Sequence, residues 1–233
     1  MDIVTLEQIK SDISEYRSLL DSRVRENKVQ EFLASHSYFF HTLLIDVVYP
    51  YPVFSKVRLG TEYETDFVGV IPSSFGPEWR LAEIESPKQC MFTDGGDPSA
   101  PLNHAIQQVR NWIRWCEDNI SYAQRLMTGL KYPLGIVFCG RRSELTPATQ
   151  DKLRQLNRNP DIRIRTLDAL IDGARAVEHF AKNGSVELDI PINTLSHVEP
   201  EHLPEETRER LGYPIRDELS RRRLEPRIWD YHE

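Results

Sequence analysis

Residues 63–86 read YETDFVGVIPSSFGPEWRLAEIES, and this stretch decides the fold class. Apolar and polar residues alternate over 63–71 and again over 78–86, and a cluster of proline, serine and glycine at 72–77 separates the two runs. Alternation with a period of two is typical of a half-buried strand, and such a cluster is typical of a turn. The stretch therefore predicts two antiparallel strands joined by a short connection.

The register of this hairpin determines where its acidic side chains meet. If Val70 lies opposite Trp79, the same register places Asp66 opposite Glu83, and Glu85 shares the face of Glu83 because it is two residues further along the strand. Directly opposite side chains have Cβ atoms about 4.5–5.5 Å apart. A register shifted by one residue would instead turn the glutamates toward water. The alternation alone leaves both registers open.

In the first register, three carboxylates converge at the edge of an apolar face. Such a cluster is costly unless a positive charge compensates it. A divalent cation is the usual compensation, and ligands that are all oxygen atoms favour Mg²⁺ or Mn²⁺ over zinc. This register predicts a metal site formed by Asp66, Glu83 and Glu85, whereas the shifted register predicts a solvated face.

The rest of the chain indicates an α/β protein with a mixed central sheet, an antiparallel meander and flanking helices. Apolar residues recur at helical spacing in two N-terminal segments, the second around Val29 and Phe32. A further strand is predicted at 53–59, before a turn at Gly60. The later elements are predicted as a helix at about 99–119 capped by Ser99, a strand at 132–140, a helix at about 147–157, a strand at 162–166 and a helix at about 167–182.

Three regions are predicted: an N-terminal helical segment at 1–50, the core at 51–190, and a proline-rich polar tail at 191–233. No stretch approaches the ~20 apolar residues that a membrane-spanning helix needs. The three cysteines share no metal-ligand spacing, which favours reduced thiols in a cytoplasmic protein. The net charge of −7 argues against nucleic-acid binding by bulk charge but allows a local basic groove.

The acidic motif and its surroundings resemble a known nuclease core. An aspartate on one strand, Glu83-Ile84-Glu85 on the next and Gln108 on the following helix are similar to the PD-(D/E)xK nucleases, which have a restriction-endonuclease-like core. The more specific resemblance is to the nuclease domain of the Shedu anti-phage defence proteins, and it runs in order over about 26–180. The matching segments are KVQEFLASHSYFF, DFV, EIESP, HAIQQV, GIVFCGRR, KLRQLN and RTLDAL.

This resemblance implies a metal-dependent DNA phosphodiesterase that acts in anti-phage defence in a prokaryotic cytoplasm as a homo-oligomer. It implies that Mg²⁺ or Mn²⁺ is held by Asp66, Glu83 and Glu85, with Gln108 in support. His104 lies on the same flank of that helix and is expected at the surface. Candidates for holding the DNA backbone, a role that requires charge and no sequence reading, are Arg110, Arg114, Arg141 and Arg142.

Two departures from the family signature affect the chemistry. Thr65 stands in the place of a proline, and Glu85 stands in the place of the lysine that helps to activate water in such nucleases. Lys88 and Lys56 are alternative donors, and a metal can generate hydroxide and polarise phosphate without a lysine. The alternative function is a catalytically inactive module of this fold that binds nucleic acid or a protein partner.

Two acids of the early helix add a further possibility. Glu26 and Glu31 could reach the metal as first-helix acids do in related nucleases, but exposure to solvent is the favoured expectation for both.

Overall fold

A computed structural model describes residues 5–45, 53–74 and 76–182, so the predicted tail at 191–233 lies outside the described residues. The helices are α1 (Leu6–Asp21), α2 (Glu26–Ser35), α3 (Ala100–Asp118), α4 (Ile120–Leu126), α5 (Pro147–Leu156) and α6 (Asp168–Lys182), with short 3₁₀ turns at Ser37–Phe40 and Arg142–Glu144. The strands are β1 (Val53–Ser55), β2 (Arg58–Leu59), β3 (Tyr63–Glu64), β4 (Phe67–Ser73), β5 (Gly76–Ile84), β6 (Leu134–Phe138) and β7 (Ile162–Arg165).

Five strands form a mixed sheet in the order β1-β4-β5-β6-β7. The first three strands are antiparallel, whereas β5, β6 and β7 run parallel. The predicted α/β class and the antiparallel meander are therefore confirmed. The predicted register is confirmed as well, since Val70 pairs with Trp79 and Phe67 with Ala82.

The connection between β4 and β5 is tighter than the predicted turn at 72–77. The two strands stay paired up to Ser73 and Gly76, and Pro72 pairs with Pro77. In an antiparallel ladder every second pair exchanges no backbone hydrogen bonds, and two opposed prolines fit such a pair because it needs neither N–H group. Proline content alone therefore overestimated the length of the turn.

The predicted strand at 53–59 is also wrong in one respect, because it is interrupted. β1 ends at Ser55 and β2 begins at Arg58, and between them Lys56 has a φ of 56°. This left-handed conformation is uncommon for a residue with a side chain and ends the pleat. The break lies beside Asp66, whose carbonyl oxygen accepts a hydrogen bond from the backbone N–H of Lys56 at 3.0 Å.

Helices cover both faces of the sheet. On one face, α3 packs so closely that a Cβ at Gly135 would lie 2.2 Å from Val109. On the other face, Phe40 of the first 3₁₀ turn contacts the rings of Phe67 and Phe138. Because side chains alternate along a strand, the register assigns Asp66, Glu83 and Glu85 to the α3 face.

Three further observations bear on the sequence predictions. Ser99 caps α3 as predicted, since its side chain accepts a hydrogen bond from the backbone N–H of Leu102. Helix α4 was not predicted, because it is short and Ala123 is its one buried residue. Within the described ranges, no helix combines the length and apolar character needed to cross a membrane.

Candidate metal site

Three acidic side chains lie where the parallel strands end. Asp66 directly precedes β4, Glu83 is the penultimate residue of β5, and Glu85 follows that strand. Asp66, Glu83 and Glu85 are only 5%, 6% and 9% exposed. The backbone N–H of Ile84 donates to Asp66 Oδ2 at 2.9 Å, which orients that carboxylate across the hairpin. The solvated-face alternative is therefore excluded.

Burial and mutual repulsion oppose ionisation of the two glutamates. The pKa of Glu83 is raised well above its ordinary value by burial, by the charge of Asp66 and by a hydrogen bond with it. Burial and the charges of Glu26 and Asp66 raise the pKa of Glu85 to about 7, although a backbone hydrogen bond at Ser86 opposes this shift. Among the described residues, Glu83 Oε2 is buried without a hydrogen-bond partner.

A fourth acid, Glu26, joins the cluster from the first turn of α2. The expectation that Glu26 is solvent-exposed is wrong, because it is half-buried and its pKa is raised by burial and by Asp66. Gln30 donates to Glu26 Oε1 at 2.9 Å, and the N-terminus of a helix favours negative charge. The Ser86 hydroxyl donates to the carbonyl of Val24 at 3.1 Å, which ties this helix start to the end of β5.

These four residues, Asp66, Glu83, Glu85 and Glu26, are called the carboxylate cluster below. Glu31, five residues beyond Glu26, is exposed as expected and pairs with Lys28 at 2.6 Å.

A lysine contacts the cluster, and it comes from the break between β1 and β2. Lys56 Nζ donates to Asp66 Oδ1 at 2.7 Å, and 47% of its side chain remains exposed. Lys88, the other candidate, is exposed in the turn after β5, and no ion pair of Lys88 occurs within the described part of the chain. Of the two candidate lysines, Lys56 is thus the one that forms an ion pair with an acid of the cluster.

Gln108 lies in the middle of α3, on the side of the sheet that carries the cluster. It is half-buried, and in the ranges that the structure describes no hydrogen bond joins it to the acids. His104, one turn earlier, is exposed as expected. The supporting role of Gln108 stays a prediction.

The four candidate arginines do not form one surface. Arg141 is 14% exposed and donates to Asp21 and Asp168, and Arg142 is paired with Asp172. These bonds join the chain after β6 to helices α1 and α6. Phosphate binding by Arg141 would require these bonds to open.

Arg110 and Arg114 lie elsewhere, along a groove beside the starts of β6 and β7. Its lining includes Asn111, Asp161 and Tyr132, which is 81% exposed. Residues two apart on a helix lie on nearly opposite sides, so Arg110 faces away from Gln108. The groove and the cluster therefore occupy opposite ends of the parallel strands.

The cluster offers the donor atoms that a hard divalent cation prefers. All of its ligand candidates are carboxylate oxygens, and one of them, Glu83 Oε2, is buried without a partner. Within the described ranges, no three acidic, histidine or cysteine side chains already stand in an arrangement that could hold an ion. Both oxygens of Asp66 accept hydrogen bonds, one of them from Lys56. The carboxylate oxygens of the cluster are of the ligand type that Mg²⁺ and Mn²⁺ prefer, and binding of an ion would require the carboxylate side chains to change rotamer.

Comparison with known families identifies the chain. The model of the family described as Shedu protein SduA, C-terminal, matches residues 23–171, which is more than half of the chain. The chain belongs to this Shedu family. Membership implies a role in anti-phage defence. A search of curated proteins found no match.

The Shedu match begins just before α2 and so includes Glu26 together with the whole sheet. Sequence reasoning underestimated Glu26 because helical periodicity does not show how the start of one helix meets the end of a distant strand. The signal that could have found it was its place in the first helical turn, where an acid is favourable beside buried donors.

Proposed function

We propose that this Shedu protein is a metal-dependent nuclease that hydrolyses DNA phosphodiester bonds in anti-phage defence. The observation that carries the proposal is the buried carboxylate cluster, in which Glu83 retains an oxygen with no partner among the described residues. Burying several carboxylates in one place is costly, and a bound cation relieves that cost. Mg²⁺ or Mn²⁺ would be held by Asp66, Glu83 and Glu85, with Glu26 close by.

The chemistry follows from the charges at the site. When bound, the divalent cation supplies Lewis-acid polarisation of the phosphate and lowers the pKa of water. The water oxygen forms a bond to phosphorus while the bond from phosphorus to the leaving sugar oxygen breaks. The proton lost by the water passes through a cluster carboxylate to solvent, and the leaving oxygen gains a proton from solvent. Gln108 is the residue we assign to positioning the water.

Incubation of the purified protein with supercoiled plasmid tests this proposal. We expect nicking in Mg²⁺ or Mn²⁺ and none in EDTA, with Asp66→Asn inactive under every condition. The matched control is Asp97→Asn, because Asp97 is an exposed aspartate that is likewise paired with a lysine. Tight plasmid binding without cleavage in either metal would support the inactive-module alternative and overturn the proposal.

DNA binding is proposed to use Arg110 and Arg114 rather than the two arginines beyond β6. Leu134 in the lining of their groove pairs with Arg80, three residues before Glu83 on β5, so the groove lies about 10 Å from the cluster along the sheet. In the described residues, neither Arg110 nor Arg114 forms an ion pair, so both are open to phosphate.

Replacing Arg110 and Arg114 together by alanine should weaken DNA binding uniformly across sequences. The slope of log binding constant against log salt should fall by about 2, because each phosphate contact contributes roughly one released counterion. Fluorescence anisotropy over a salt series measures this. Arg154→Ala is the matched control, since Arg154 is exposed and pairs within its own helix. An unchanged slope would remove this groove from the DNA interface.

A further inference from the structure

Lys56 occupies an unusual backbone position beside the carboxylate cluster. Its φ of 56° interrupts the edge strand between β1 and β2. The ladder nevertheless continues across the break, since Lys56 N–H donates to the Asp66 carbonyl at 3.0 Å and Thr65 N–H donates to the Val57 carbonyl at 2.9 Å. The break therefore holds Lys56 beside Asp66 through both backbone and side chain.

The ammonium of Lys56 is only partly committed to Asp66. An ammonium has three donors, and one of them bonds to Asp66 Oδ1 at 2.7 Å. No other side-chain hydrogen bond of Lys56 occurs within the described ranges, and nearly half of the side chain is exposed. A lysine that served only as a buried counter-ion would be enclosed by acceptors. Lys56 instead presents free donors at the open edge of the cluster.

The position that holds a lysine in the family signature holds Glu85 in this chain. Glu85 is 9% exposed, whereas Lys56 reaches the same cluster from a neighbouring segment of the chain. Because Lys56 supplies a positive charge from the break between β1 and β2, the site keeps a cation although position 85 holds a carboxylate.

We propose that Lys56 is the catalytic cation of this site and performs the role of the absent strand lysine. The proposal rests on the nuclease function proposed above. Lys56 donates to a non-bridging phosphate oxygen as the water oxygen bonds to phosphorus and the bond to the leaving sugar oxygen breaks. It stays protonated throughout, while the proton of the water leaves through a carboxylate to solvent.

Plasmid cleavage by Lys56→Met and Lys56→Arg tests the assignment. Both side chains keep a Cβ at the left-handed position, so the backbone strain is matched. We expect kcat of Lys56→Met to fall by about 100-fold, as for loss of one transition-state donor, and Lys56→Arg to retain most activity. Lys152→Met is the control, because Lys152 is a similarly exposed lysine paired with an aspartate.

Metal binding separates catalysis from structure. Lys56 is a hydrogen-bond donor to Asp66 and not a metal ligand, so Lys56→Met should lose cleavage while it still binds the metal. Thermal melting with and without Mn²⁺ should show that Lys56→Met keeps its metal-dependent stabilisation. The difference between the melting temperatures with and without Mn²⁺ can be measured even if Lys56→Met melts at a lower temperature than the native protein.

Three results would overturn the assignment while leaving the nuclease function intact. The first is native cleavage by Lys56→Met, and the second is loss of cleavage by Lys88→Met to the level expected for Lys56→Met. The third is loss of metal-dependent stabilisation by Lys56→Met, because cleavage would then be lost through the metal site and not through a phosphate donor. Absence of cleavage by the native protein in Mg²⁺ and Mn²⁺ would overturn the nuclease proposal itself, and the assignment of Lys56 with it.

Discussion

Replacing Glu83 by glutamine is expected to lower the rate of plasmid cleavage by at least about 100-fold. Mutation of residues that only orient metal ligands already costs about 10–100-fold in metal affinity or activity, and Glu83 is proposed as a ligand itself. Glu83 is central to the cluster: it is buried, it lies opposite Asp66, and its Oε2 is without a partner in the described residues. The amide keeps the shape of the side chain but removes the anionic oxygen that a divalent cation requires. Initial nicking rates in Mn²⁺ measure the effect.

The same substitution should stabilise the metal-free protein, and increasingly so at high pH. Because the pKa of Glu83 is raised in the folded state, the folded protein binds this proton more tightly than the unfolded chain does. The native protein therefore loses stability as the pH rises above the ordinary carboxyl pKa, whereas Glu83→Gln does not carry this loss. Thermal melts in EDTA at several pH values test the expectation.

Glu31→Gln is the matched control for both measurements, since Glu31 is an exposed acid on the helix that carries Glu26. Native cleavage by Glu83→Gln would contradict the metal site. A melting temperature of Glu83→Gln below that of the native protein in EDTA at high pH would contradict the account of its pKa.

Added Mg²⁺ or Mn²⁺ is expected to raise the melting temperature of the native protein, and more at pH 8 than at pH 6. An ion that binds only the folded state stabilises it by mass action, by about 2.7 kcal/mol at 100 times Kd. Carboxylate ligands must be deprotonated to bind, and the pKa of Glu85 is raised to about 7. The proton of Glu85 therefore opposes metal binding at pH 6 and much less at pH 8, whereas the proton of Glu83, whose pKa burial and Asp66 raise to about 10, opposes it at both pH values. Differential scanning calorimetry at the two pH values measures the difference.

Without metal, raising the pH has the opposite effect and lowers the stability of the native protein. The pKa of Glu85 is 4.5 as an unperturbed side chain and about 7 in the fold, so its contribution destabilises the native state as the pH rises through this interval. Glu85→Gln should remove this part of the pH dependence in EDTA.

Glu85→Gln also distinguishes a metal ligand from a bystander. If Glu85 is a ligand, metal-dependent stabilisation and cleavage fall together; if it only fills the position of the signature lysine, both persist. Glu85→Lys should keep some metal binding through Asp66 and Glu83. Should calorimetry find no metal-dependent stabilisation of the native protein at either pH, the cluster is not a metal site and the nuclease proposal fails.

The hairpin was predictable from the sequence because its information is local. Period-two alternation on both sides of a proline-rich turn defines two strands, and one pairing, Val70 with Trp79, then sets the partner of every other residue. The placement of Asp66 opposite Glu83 follows from that register. The α3 helix was predictable for a similar reason, because its cap at Ser99 and its apolar stripe lie within one segment.

Features that depend on contacts between distant segments were decided by the tertiary structure. The break at Lys56 has no glycine to mark it, and the left-handed backbone there is held by bonds to the neighbouring strand. Glu26 reaches the cluster only because the start of α2 is tied to the end of β5. The partners of Arg141 lie on α1 and α6, far away in the chain. Local periodicity reports which face of an element is buried, whereas the meeting of two remote elements depends on how whole layers pack. This is why Asp66, Glu83 and Glu85 were foreseeable, whereas the place of Glu26 in the cluster and the contact of Lys56 rather than Lys88 with Asp66 were decided by the tertiary structure.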